Sequence, residues 1–101
     1  MKVVWTKTAQ QSLVKTTDFI LEVWNEDIEN RFLIQLDYRI SQIRENPELA
    51  PTLKGSSFRQ VKIHQTTSLF YKVYPNYLKI LLIWDNRQDP NNLLKSITDI
   101  K

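Results

Sequence analysis

The segment Tyr77-Leu78-Lys79-Ile80-Leu81-Leu82-Ile83-Trp84 carries a single charge. A short run so rich in aliphatic and aromatic side chains is a strand, and its lack of polar positions makes it a central one, covered on both faces. Such a strand needs hydrogen-bonding neighbours on each side and a packing layer over it. The rest of the chain has to supply them.

The nearest neighbours are adjacent in sequence. Leu69-Phe70-Tyr71-Lys72-Val73-Tyr74 alternates with period two, and Pro75-Asn76 provides the turn into the apolar run. Phe58, Val61 and Ile63 begin a less regular alternation before it, so residues 58–84 read as three consecutive strands in an antiparallel meander. Val3-Val4-Trp5 is a further short β-prone run at the start.

The packing layer comes from the first half. Thr6 to Thr8 are cap formers, with Thr8 and Gln11 in capping-box spacing, and Leu13, Ile20 and Trp24 then recur at helical intervals, predicting a helix over roughly 7–24. Asn25-Glu26-Asp27 is a polar break with residues suited to a helix N-terminus. Ile28, Phe32, Leu36, Ile40 and Ile43 form the apolar stripe of a second helix that Asn46-Pro47 ends. So short a turn makes the two helices antiparallel with a shared face. The expected fold class is α+β: a short N-terminal strand and a two-helix antiparallel hairpin packed on an antiparallel sheet. At 101 residues the chain is expected to form a single domain, 1–101.

Composition excludes several functions. With one glycine there is no phosphate-binding glycine loop, and no GxSxG elbow occurs. Without cysteine there is neither a disulfide nor a thiolate metal site, and the one histidine, His64, has no partner at metal-ligand spacing, so no metal or cofactor is expected. His64 is retained only as a candidate general base. The N-terminus lacks a signal-peptide h-region and no apolar run is long enough to span a bilayer, so the expectation is a cytoplasmic protein with no membrane partner.

Charge is unevenly distributed. Residues 1–51 hold six Lys/Arg against eight Asp/Glu, a balance of −2, whereas residues 52–101 hold eight against three, a balance of +5. A basic second half suits an anionic partner, nucleic acid or acidic peptide. The basic group comprises Lys54 in the loop of about a dozen residues between Asn46 and Ser57, Arg59 and Lys62 in the first strand of the meander, Lys72, Lys79, and Arg87 just beyond it. Arg59 and Arg87 would converge at one end of the sheet if their strands were antiparallel neighbours, and would then grip a phosphate. Tyr71, Tyr74 and Tyr77 are candidates for base stacking or for packing, and Trp5, Trp24 and Trp84 for core or rim anchors.

Three strings, in order, give the chain a resemblance over nearly its whole length to the RelE/ParE superfamily of type II toxins. Val3-Val4-Trp5-Thr6-Lys7-Thr8-Ala9, with Leu13 following, resembles the family's strand-to-helix passage; Leu69-Phe70-Tyr71-Lys72-Val73 resembles its L-x-Y-x-V strand; Ile83-Trp84-Asp85-Asn86-Arg87-Gln88-Asp89-Pro90 resembles the strand-end D-x-R-Q-x-P of ParE-like members. The resemblance implies a growth-inhibiting toxin held in a hetero-oligomer by a cognate antitoxin and serving plasmid or genome maintenance. It also implies one of two targets. RelE-like members cut mRNA on the ribosome, and ParE-like members inhibit DNA gyrase.

In RelE-type chemistry the resemblance implies basic residues on the strand of Arg59 and Lys62, an arginine directly before Leu-x-Tyr, an arginine after the last strand and a tyrosine six residues beyond. Arg87 fills the third position and Arg59 the first, whereas Ser68 occupies the second and Leu93 the fourth. Those losses remove charge stabilisation and acid–base capacity, favouring a ParE-like, non-catalytic binder with target contacts at Arg59, Lys62, Arg87, Gln88 and Asp89. The alternatives are a ribosome-dependent mRNA endonuclease using Arg59, Lys62, Arg87 and less readily His64, and a non-toxic nucleic-acid-binding domain.

Overall fold

A computed structural model describes residues 1–86. The order of elements is β1 (Lys2–Trp5), α1 (Lys7–Val23), α2 (Glu26–Glu45), β2 (Phe58–His64), β3 (Thr67–Val73) and β4 (Tyr77–Asp85). The strands form one sheet in the order β1-β4-β3-β2, so the apolar run is a central strand as its composition requires. β2, β3 and β4 are the antiparallel meander, and β1 joins the far side of β4 in parallel, Lys2 beside Tyr77 and Trp5 beside Ile80.

Both helices start on side-chain caps. Thr6 accepts from the amide of Ala9 at 2.9 Å, so it is Thr6 that caps α1, not Thr8. Asn25 accepts from the amide of Ile28 at 3.0 Å, and Glu26, Asp27 and Glu29 then place negative charge at the positive end of the α2 dipole. α1 lies over β4 and α2 over β2. Ala9, Phe32, Leu36 and Ile43 meet Ile63, Leu69, Tyr71, Leu78, Ile80 and Ile83 in the main core, with Leu13 and Ile20 packed against it. Trp24 departs from its expected role: it is the C-cap of α1 and 64% exposed, because the stripe ends where the chain turns away from the sheet.

The alternation of β4 breaks at Leu81. Phe70 pairs with Leu82 and Tyr71 with Ile80, leaving Leu81 as an extra residue, a β-bulge. Leu78 and Ile80 face the helices before it and Ile83 after it, whereas Leu81, Leu82 and Trp84 join Phe70 in a second buried cluster on the opposite face, against Leu53 and Phe58. The bulge thereby turns one apolar run into a strand that packs on both faces.

The polar groups at this irregularity are satisfied by α1 and its cap. The Thr6 hydroxyl donates to the carbonyl of Leu81 at 3.2 Å, the Thr6 amide to that of Ile80 at 3.1 Å, and the amide of Ile83 donates to the Ser12 hydroxyl at 2.9 Å. Buried amides and carbonyls without partners cost about 1–3 kcal/mol each, so these bonds fix α1 against the sheet.

Because Leu36 is 2% exposed and Ile34 68% exposed on the same helix, Leu36→Ala is expected to cost roughly 2–5 kcal/mol through the cavity it leaves. Ile34→Ala should remain within about 0.5 kcal/mol of the parent. Urea denaturation followed by circular dichroism measures both.

Candidate functional site

The predicted basic residues of β2 are parted by the pleat. Val61 and Ile63 face the helices, and register places Arg59 beside Tyr71 on that same side, while Lys62 pairs with Ser68 on the open side. Arg59 is half-buried, its guanidinium donates to the carbonyl of Ala50 at 2.6 Å, and its backbone bridges Thr52. It pins the loop between α2 and β2. Lys62 is exposed, and so is His64, at the end of the edge strand beside Thr67.

The strand arrangement behind an Arg59–Arg87 convergence is not the one found. β3 lies between β2 and β4, so those two strands run parallel and are not neighbours, and Arg59 stands level with Tyr71 and Ile80 rather than with the end of β4. Arg87, Gln88, Asp89 and Leu93 lie outside the described residues.

Where β4 ends, the open face carries a compact polar cluster. Ser68 is fully buried, and its hydroxyl accepts from the Gln60 side-chain amide at 3.0 Å and the Asn86 side-chain amide at 2.9 Å. The amide of Asn86 also donates to the carbonyl of Thr66 at 2.6 Å. Asn86 is therefore held at two points immediately before Arg87. The cluster consists of neutral groups, with Trp84 paired to Ser68 across the sheet and Lys62 on its other side.

Tyr71 is not a stacking residue. It is fully buried on the helix side, and its hydroxyl donates to the carbonyl of Pro47 at 2.8 Å. Burial pushes its phenol above the ordinary 10.0, opposed by a backbone hydrogen bond with Ala50 and by the Arg59 guanidinium. Tyr74 and Tyr77 instead stack on each other, ring centroids 4.7 Å apart, at the β3–β4 hairpin. Ser68 as an anchor, and the tie of Thr6 and Ser12 to β4, are roles that sequence spacing did not disclose; the one hint is the broken alternation of Ile80-Leu81-Leu82-Ile83. Among the described residues no three His, Cys, Asp or Glu gather to hold a metal, and no helix is long and apolar enough to cross a membrane.

A helical hairpin on one face of a sheet whose first strand lies parallel beside its last is the class of fold found in solved type II toxins. The chain is similar to a structure described as the chromosomal ParDE toxin–antitoxin system from P. aeruginosa, at 14% identity and a TM-score of 0.71, covering 84% of this chain and 95% of that one. It is similar to a YoeB/ParE toxin from Agrobacterium tumefaciens at 17% identity and a TM-score of 0.64, covering 84% and 98%. A copper-bound mutant toxin from Helicobacter pylori is similar at 24% identity and a TM-score of 0.62, covering 84% and 93%. No curated protein matches the sequence. Residues 3–90 match the family described as "ParE toxin of type II toxin-antitoxin system, parDE". The chain belongs to that family, and is a toxin of the RelE/ParE superfamily whose family implies a cognate antitoxin.

The Tyr71 phenol provides a check on the core of this site. Tyr71→Phe leaves the Pro47 carbonyl without its donor and is expected to cost about 1–2 kcal/mol in denaturant unfolding. The folded-state pKa lies above the unfolded one, so the stability linked to this group is complete below about pH 10 and is lost as pH rises through the folded value. In an ultraviolet tyrosinate titration, an ionisation raised above the ordinary phenol value should be present in the parent and absent from Tyr71→Phe.

Proposed function

We propose that this toxin acts by binding DNA gyrase, without RNA chemistry of its own, in the cytoplasm, and that its cognate antitoxin relieves the inhibition. The observation that carries this reading is the neutral cluster at Ser68. RelE-type cleavage, as the family resemblance implies it, calls for an arginine at this position to stabilise the charge that develops on the scissile phosphate. Here a buried serine closes a network with Gln60 and Asn86. An arginine side chain would have to displace both amides and be desolvated beside Trp84.

Two further observations agree. Arg59 is committed to the Ala50 carbonyl on the helix side and is separated by the sheet from Lys62, so the two do not form a phosphate clamp. His64 is exposed at a strand end, and the described residues provide no hydrogen-bonded partner to orient it as a base. Arg87, Gln88 and Asp89 follow directly in sequence on the doubly anchored Asn86 and are proposed as the contact segment for the target, together with Lys62 on the open face; Arg59 is proposed to act through the loop it pins.

Purified protein should inhibit supercoiling by gyrase from the native host or trap its cleavage complex, and added antitoxin should restore activity. Arg87→Ala is expected to weaken inhibition at least tenfold with an unchanged melting temperature. Ribosome-dependent mRNA cleavage by the parent, lost in Arg87→Ala, would instead make the toxin an endonuclease and overturn the reading.

A further inference from the structure

The open face of the sheet has a second chemistry at the end away from Ser68. Because Val3, Val73 and Leu78 pack toward the helices, register puts Lys2, Lys72, Tyr74, Tyr77 and Lys79 on the open side around the β3–β4 hairpin, with Phe58 beside Lys72. Lys72 and Lys79 are directly paired across the two strands, and like charges in that position destabilise a sheet. Their ammonium groups lie 5.1 and 5.9 Å from the centre of the Tyr74 ring, and that of Lys72 is also 6.0 Å from the centre of Phe58.

Nothing in the sheet offsets this charge. From Leu49 to Trp84 the sequence contains no aspartate or glutamate, and none precedes Asp18. All four strands therefore lack a carboxylate except for Asp85 at the far end of β4. Ring faces relieve the lysines only partly, since a cation over a ring near the surface, as the half-buried Tyr74 is, gains roughly 0.5–1 kcal/mol and remains a cation. Among the described strands no carboxylate lies beside the pair, and a bound anion would relieve it.

We propose that this hairpin end binds single-stranded DNA, with Lys2, Lys72 and Lys79 on the phosphates and Tyr77 and Phe58 against unpaired bases. The aromatic rings distinguish this occupant from an acidic peptide, which needs the ammonium groups alone, and from duplex DNA, whose bases present no free face to stack. The choice of DNA over RNA rests on the gyrase reading, which brings the toxin to an enzyme engaged with DNA. The surface lies at the end of β4 away from Asn86.

Fluorescence anisotropy of the full chain with a labelled oligo-dT, and with oligo-rU, a dT·dA duplex and poly-glutamate as parallel probes, tests the inference. Oligo-dT should bind more tightly than the other three. About 0.7 of a unit of logarithmic salt slope is expected per phosphate contact, so Lys72→Gln/Lys79→Gln should flatten the slope by about 1.4. Tyr77→Ala should weaken binding roughly tenfold. Circular dichroism verifies that the variants fold, and Lys15→Gln, exposed on α1 on the other side of the sheet, should leave binding unchanged. Absence of oligo-dT binding, equal binding of duplex or poly-glutamate, preference for oligo-rU, or a folded double lysine variant that binds as the parent does would each overturn the proposal. Gyrase inhibition is scored separately: a chain that prefers oligo-dT but leaves gyrase untouched retains this site and loses the gyrase reading.

Discussion

Everything in this fold rests on how β4 is held by α1. A strand buried on both faces needs all its backbone groups paired, yet β4 carries an irregularity at Leu81, where the regular ladder with β3 slips by one residue. The Thr6 hydroxyl and the Ser12 hydroxyl reach that point from the helix side, one donating to Leu81 and one accepting from Ile83. The same threonine starts α1 by capping Ala9. A single residue thus begins the helix and ties it to the centre of the sheet, and the bulge it serves directs Leu81 and Leu82 to one face and Ile83 to the other. Without the slip, Leu82 would have faced the helices and Ile83 the open side, leaving both packing layers out of register.

Much of this architecture was legible in the sequence because periodicity carries it. The stripe from Ile28 to Ile43 is the buried face of α2, the alternation around Tyr71 is β3, and the near absence of charge in Tyr77–Trp84 marks the central strand. What escaped were features set by a single residue or by contacts distant in sequence. Thr8 has the spacing of a cap, but Thr6 is the cap because it alone also reaches Ile80 and Leu81. Trp24 continues a stripe that ends before it. Period two sets Tyr71 and Tyr74 on opposite faces, but only the packing of Pro47 and Ala50 over Tyr71 decides that its face is the one that buries a phenol.

The candidate site was legible in composition but not in geometry. The surplus of Lys and Arg in the second half is plain, whereas the pleat decides that Arg59 faces inward and Lys62 outward, and strand order decides that β3 intervenes between β2 and β4. Ser68 stood out only as a departure from a motif. In the fold it is a structural element in its own right, because two side-chain amides converge on its hydroxyl and join Gln60 of β2 to Asn86 at the end of β4. The open face thus has a hydrogen-bonded polar cluster around Ser68 at one end of β3 and a lysine- and tyrosine-rich hairpin at the other.

The parallel pairing of β1 with β4 also has a consequence for how the molecule is made. The contact between Thr6 and Leu81 spans 75 positions of the chain. On the ribosome, the first strand emerges long before its partner, and the two helices follow it with their apolar stripes uncovered. The core closes only when the last strand of the meander has left the exit tunnel. Until then the nascent toxin presents the surfaces of Leu13, Phe32, Leu36 and Ile43 to its surroundings, so its period of greatest exposure to chaperones and proteases coincides with its synthesis.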